Sequence, residues 1–282
     1  MSNIDVALIA PRLALSPVLL LLCCALARAQ EAPSATPRRY RAVRVDGMST
    51  IRELQKTYGA DGFQAILHLN RLDLAHVRDG GTLIVPDGPA SMAELSPFPA
   101  SIGQDDWMPP RLLIVSRRIQ AFAAYQAGAL VRWGATSTGR RETPTPAGLF
   151  ATNWRSKLRR SSDNAEWLLP WYVNFINESG VSFHQFALPG YPASHACARL
   201  TTDDAKWIYD WVELWELDAT RRKVEVYGTP VLVFGDYDFD KPGPWTRLAD
   251  DPRATDITLN DVRGALEPHE ATLVARRRPD SK

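Results

Sequence analysis

Residues 181–200 read "VSFHQFALPGYPASHACARL", and they hold two histidines, one cysteine and one arginine between positions 184 and 199. "VSFHQF" reads as a strand carrying His184. "ALPGYPA", with two prolines and a glycine, turns the chain back on itself. In an extended segment, residues two apart share a face, so His195 and Cys197 are expected to project together, with His184 folded onto the same side. A helix after Thr201 would add a modest positive potential. A thiol nucleophile needs a base or cation beside it and donors for the oxyanion. This stretch supplies the residue types, and it predicts a Cys197 more acidic than a free thiol. Two other readings of the same residues stay open: an inert buried thiol, and three zinc ligands, His184, His195 and Cys197, with a water in fourth place. Their spacing matches no common zinc framework.

The cysteine count bears on this choice. Of three cysteines, Cys23 and Cys24 lie in "LALSPVLLLLCCALA", which follows Arg12 and ends at Ala27-Arg28-Ala29. A basic flank, a short apolar run and a small-x-small end predict a cleaved signal peptide over residues 1–29 and no lasting membrane span. Cys197 is then the sole thiol of an exported protein, where cysteines are ordinarily paired. The chain carries 33 Lys+Arg against 32 Asp+Glu, and the leader takes away Asp5, Arg12 and Arg28, which leaves the mature side chains balanced. No nucleic-acid partner is indicated. Arg276-Arg277-Arg278 reads as a solvated tail.

Outward from the central stretch, the pattern is β-rich. "RLLIVSRR", "IQAFAAYQAG", "ALVRWGATSTG", the end of "TPTPAGLF", "LLPWYVNFI" and "VEVYGTPVLVFG" read as strands. "TDDAKWIYDWVELWEL" interrupts them as one amphipathic helix, with Thr201-x-x-Asp204 at its start and Ala205, Ile208, Val212 and Trp215 on one face. The aromatic run "WLLPWYVNF" suits a core, and a groove lining is its other reading. Upstream lies a smaller block of strand, two short helices and strand. Thr50-x-x-Glu53 would cap its first helix, Ile51, Leu54 and Tyr58 form a stripe that stops at Gly59, and Phe63, Ile66 and Leu67 form the next. His68 and His76 have no metal-ligand spacing and read as packing or surface residues. Residues 30–39 and the Pro-rich 89–110 read as linkers, and 236–282 as a polar extension that drapes or moves.

Two resemblances follow from these motifs. "YRAV", "TIRELQKTYG", "ILHLNRLD" and "GGTLIVP", within residues 40–88, resemble the LysM module, although "DGMST" replaces its usual Gly-Asp-Thr. That resemblance implies contact with N-acetylglucosamine-containing glycans. "TSTGRRETPTPAG", "FHQF", "GYPAS" and "SHACARL", within residues 111–235, resemble the L,D-transpeptidase (YkuD) catalytic domain. The implied fold is mainly β: a β-sandwich with one prominent helix, preceded by a small βααβ domain.

By that resemblance Cys197 is the acyl-accepting nucleophile and His184 its base, oriented by the carbonyl of Gln185. His195 and Ser194 support the site, Ala196 takes the place of a usual glycine, and Arg199 braces the site or meets a substrate carboxylate. The N–H of Cys197 is among the oxyanion donors, and no metal or organic cofactor is required. The implied reaction is attack on a peptidoglycan tetrapeptide stem, release of D-alanine, and transfer to an amine of a neighbouring stem, an envelope lipoprotein or a D-amino acid. A periplasmic location follows from the leader. The alternatives are an L,D-carboxypeptidase using the same cysteine and a non-catalytic murein-binding protein.

Overall fold

The strands that open the β-rich region are apolar on both faces, and that decides how many layers surround them. In the computed structural model, which describes residues 38–277, β3 (Arg111–Ser116) sends Leu113 and Val115 to one side and Leu112 and Ile114 to the other. β4 (Ala121–Gln126) does the same with Phe122 and Ala124 against Ala121, Ala123 and Tyr125. Strands buried on both faces belong in a middle layer. β3 and β4 lie in a five-stranded sheet with β5 (Ala129–Ala135), β6 (Gly148–Ala151) and β13 (Pro230–Phe234), ordered β5-β4-β3-β13-β6 and antiparallel except for the β13–β3 pair.

One face of that sheet packs on a second sheet, ordered β10-β9-β8-β7, built from β7 (Arg155–Arg160), β8 (Leu168–Ile176), β9 (Val181–Gln185) and β10 (Ala198–Leu200). Val173, Phe175, Val181 and Phe183 fill the space between the sheets, together with Ala205 and Ile208 of α2 (Thr202–Trp211). The β-sandwich with its helix is therefore present. α2 is shorter than its apolar period suggested, because Val212 is already extended and Glu213 N–H donates to Thr229 Oγ1. Its start is as expected, with Thr201 accepting from Asp204 N–H. β7, "RSKLRR", was not legible as a strand, since an exposed edge strand has no apolar alternation to show.

The other face is covered by segments read from the sequence as linker and extension. Leu95, Phe98, Ile102 and Met108 pack there, as do Val262 and Leu266 of α3 (Leu259–Leu266) and Leu273 of α4 (Glu270–Ala275). Isolated apolar residues among prolines carry no period, but each one is buried. Neither stretch hangs free. Arg276 lies over Tyr227, and Arg277, though exposed, donates to Met108 O, so both basic residues are tied to the domain. The signal-peptide reading, nearly all of the 30–39 linker and Arg278 fall outside the described residues.

The small block consists of β1 (Tyr40–Arg44) paired antiparallel with β2 (Thr82–Pro86), and α1 (Gly47–Leu69) between them. α1 is two helices joined at Gly59, whose φ of +71° breaks the helix. Both expected stripes are in the core with Leu83 and Val85. The helix begins three residues before Thr50, so the Thr50–Glu53 capping box does not form; Thr50 Oγ1 accepts from Asp46 N–H instead. This block is seated on the rest of the molecule. Arg71, fully buried, donates to the carbonyls of Ile119, His68 and Leu69 and lies between the rings of Trp133 and Trp245. Burial without a carboxylate partner pulls its pKa down to about 9.

Candidate active site

β9 and β10 run parallel, and their register sets Arg199 opposite His184 and Ala198 opposite Phe183. Cys197 therefore stands at the start of β10, beside Ser182. Its sulfur is 3.4 Å from Ser182 Oγ and 3.9 Å from Gly180 O. A single cleft is lined by Cys197, His184, His195, Ser194 and Arg199, along with Ser161, Asp163, Trp167, Leu169 and Phe186. Every catalytic position expected from the sequence thus meets at one place, with Gln185 acting from behind through its carbonyl.

His184 is buried in β9, and its Nδ1 lies 2.9 Å from Gln185 O. A carbonyl only accepts, so Nδ1 carries the proton and Nε2 keeps its lone pair. The imidazole is thereby fixed in the tautomer of a base. Burial lowers its pKa to about 4, against the opposing pull of the Gln185 carbonyl. Burial likewise pushes the Cys197 thiol above its ordinary value, more than Ser182 and Arg199 bring it down. This corrects the expectation of an acidified thiol: proximity of two histidines does not help when both ring and sulfur are desolvated. Both shifts favour the neutral forms, so a thiol acting as nucleophile must lose its proton as the sulfur attacks.

His195 does not share an extended face with Cys197, because Ala196 between them has φ +75°. This is the left-handed region that favours glycine. The strained turn is held by Thr145, whose hydroxyl donates to Ala196 O at 2.7 Å and accepts from Gly139 N–H at 2.9 Å. A Cβ at Gly139 would lie 2.1 Å from Thr143 O, so the "TSTG" segment closes on the loop only with glycine there. Ser137 adds a second clamp, donating to Tyr191 O and accepting from Ala193 N–H. Ser194 is buried, with its N–H on Thr138 O. The N–H of Cys197 has no acceptor among the described residues, as an oxyanion donor requires.

His195 Nδ1 is 3.5 Å from Asp163 Oδ2, and its ring stands edge-on to Trp167 at 5.3 Å. Both partners come from the hairpin between β7 and β8, and Asp163 was not found from the sequence. Trp167 does belong to the aromatic run whose two readings were core and groove; Trp167 and Leu169 line the cleft, while Val173 and Phe175 fill the core. Arg199 lies over Phe186 at 4.6 Å, and its guanidinium makes no hydrogen bond or ion pair among the described residues. Among the described residues no cluster of His, Cys, Asp and Glu is arranged to hold a metal ion, so the zinc reading of His184, His195 and Cys197 finds no geometry.

Residues 110–233 match the YkuD L,D-transpeptidase catalytic domain. Solved structures of L,D-transpeptidases are similar to this chain. That from Stackebrandtia nassauensis has 15% identity, covering 67% of this chain and 78% of its own, with a TM-score of 0.40. That from Xylanimonas cellulosilytica has 21% identity, covering 72% of this chain and 100% of that one, with a TM-score of 0.41. One from Mycobacterium smegmatis has 14% identity, covering 71% and 92%, with a TM-score of 0.36. No curated protein matches.

Proposed function

We propose that this protein is an exported, periplasmic L,D-transpeptidase that acts on peptidoglycan tetrapeptide stems through a Cys197 thioester. The observation that carries this reading is that Cys197 and a tautomer-fixed His184 line one cleft. Cys197 Sγ attacks the carbonyl of the third stem residue while His184 Nε2 takes the thiol proton. The tetrahedral oxyanion is met by the N–H of Cys197. As it collapses, His184 returns the proton to the leaving amine, D-alanine departs, and a thioester remains. An incoming amine then attacks that thioester, losing its proton to His184, and a new amide forms as the thiol is released. Arg199 is placed to bind a stem carboxylate. His195, held by Asp163 and Trp167, supports the wall of the cleft.

Residues 40–88 serve as a LysM-like anchor on murein glycan, which keeps the enzyme among acceptor stems. Full-length protein should therefore sediment with insoluble sacculi, and the Cys197→Ala variant should sediment equally. The reaction is tested with purified tetrapeptide stems, with and without excess amine acceptor. The parent should release D-alanine and form amide-linked product, and Cys197→Ala should do neither. D-Alanine release that yields only tripeptide under excess amine identifies a carboxypeptidase instead. Full activity in the alanine variant overturns the mechanism.

A further inference from the structure

The small block reaches the loop that joins the two catalytic histidine positions. Asp73 begins the 3₁₀ turn Leu74–His76, and its Oδ1 accepts from His76 N–H and lies 2.6 Å from His76 Nδ1. Its other oxygen, Oδ2, accepts from Leu188 N–H at 2.8 Å, and Asp73 N–H donates to Leu188 O at 3.0 Å. Leu72 bridges to Pro189, and a Cβ on Gly190 would touch the Leu72 side chain at 3.0 Å. Leu188 is fully buried. So the first half of the 186–193 loop is pinned by the small block, whereas its second half is pinned by Ser137 of the sandwich.

Two residues before Leu188 is Phe186, the wall of the catalytic cleft. Arg199 lies on its face, and the rings of His184 and Trp167 meet it edge-on at 5.9 and 6.1 Å. We infer that Asp73 is a positioning residue: by holding Leu188 from the small block it fixes Phe186, and through Phe186 the orientation of Arg199 and the His184 ring. The small block then belongs to the catalytic apparatus as well as to anchoring. This rests on the proposed reaction at Cys197. A displacement of about 1 Å at such a site is enough to cost up to ~100-fold in rate.

The full chain carrying Asp73→Ser tests it. Serine keeps an oxygen for the turn at His76 but is too short to reach Leu188. Acylation of Cys197 by a tetrapeptide stem should slow ~10-fold or more in kcat, with KM for the stem changed less than ~3-fold. Alkylation by iodoacetamide, which needs the thiol but not the Phe186 wall, should stay within ~2-fold of the parent. Exchange of the Leu188 amide hydrogen should accelerate. Asp73→Asn, which keeps one carbonyl oxygen for Leu188, should recover most of the acylation rate. Unchanged acylation in Asp73→Ser overturns the role, as does equal slowing of acylation and alkylation. A parent enzyme that no stem acylates overturns the proposed function itself, and the role of Asp73 with it.

Discussion

The seam under the small block and the cleft around Cys197 each contain a buried histidine, and an arginine with no carboxylate partner among the described residues, and they use them in opposite ways. In the seam, His68 Nδ1 accepts from Ala135 N–H at 3.0 Å, so the proton sits on Nε2. In the cleft, His184 Nδ1 donates to Gln185 O, so Nε2 holds the lone pair. Burial lowers the pKa of both rings. Only the second is left as a base. The arginines divide likewise: Arg71 spends its donors on three carbonyls, while Arg199 spends none among the described residues. Burial alone does not mark a functional group. What marks it is a polar group shielded from water with its bonding capacity still in hand.

The sharpest way to break this comparison is to exchange the histidines' fates. His184→Ala should slow acylation of Cys197 by ~10²–10⁴-fold, the usual contribution of a general base. His68→Ala should leave that rate nearly intact and cost about 1–3 kcal/mol of stability, because Ala135 N–H loses its acceptor. Stopped-flow acylation and urea unfolding read the two effects separately, and equal kinetic losses would erase the distinction. For the arginines the roles reverse. Arg71→Met should destabilise by about 2–4 kcal/mol, leaving buried carbonyls unpaired. Arg199→Met should change stability by less than ~1 kcal/mol while raising KM for a carboxylate-bearing stem ~10-fold.

A pH series sharpens the same point. Unfolded His184 takes up a proton near 6.5, while the folded ring stays neutral until about 4. Between those values the unfolded state binds the extra proton, so stability falls as pH falls, by on the order of 3 kcal/mol for this group. kcat/KM should decline on an acid limb near pH 4, and alkylation of Cys197 should show a midpoint at or above ~8.5, the value of a free thiol. A midpoint well below it would restore the acidified cysteine. The smallest effect is expected at Ala196, where glycine relieves a left-handed backbone at the cost of a freer unfolded chain. Ala196→Gly should stabilise by at most about 1 kcal/mol with acylation retained, as measured by thermal unfolding.

Much of this site was legible because its reactive groups are close in sequence. His184, His195, Cys197 and Arg199 fall within one strand–loop–strand unit, and the parallel β9–β10 pair returns the chain to where it began. Asp163, Ser182, Thr145 and Asp73 were not legible. Each acts through isolated polar contacts, which leave no period or spacing to read. The same limit hid the outer layer: Leu95, Phe98, Ile102 and Met108 sit singly among prolines and polar residues. Even the departure at Ala196 was visible only as a residue type. Its positive φ, and the Thr145 bond that holds it, needed coordinates.

The contact between segments far apart in sequence has a consequence for how the chain is made. Leu69 and Ile84, from the first described helix and the strand after it, share a cluster with Trp245 and Leu248, while Pro97 O accepts from Ile257 N–H. A chain synthesised from its N-terminus cannot close this core until residues near 257 are available. Contacts of such long sequence separation also slow folding once the chain is free. Until residues near 273 arrive, the middle sheet keeps one apolar face only partly covered, a state in which a chaperone can hold it. Shortening the C-terminus past Leu273 should therefore lower the yield of soluble protein more than it lowers the activity of the molecules that do fold.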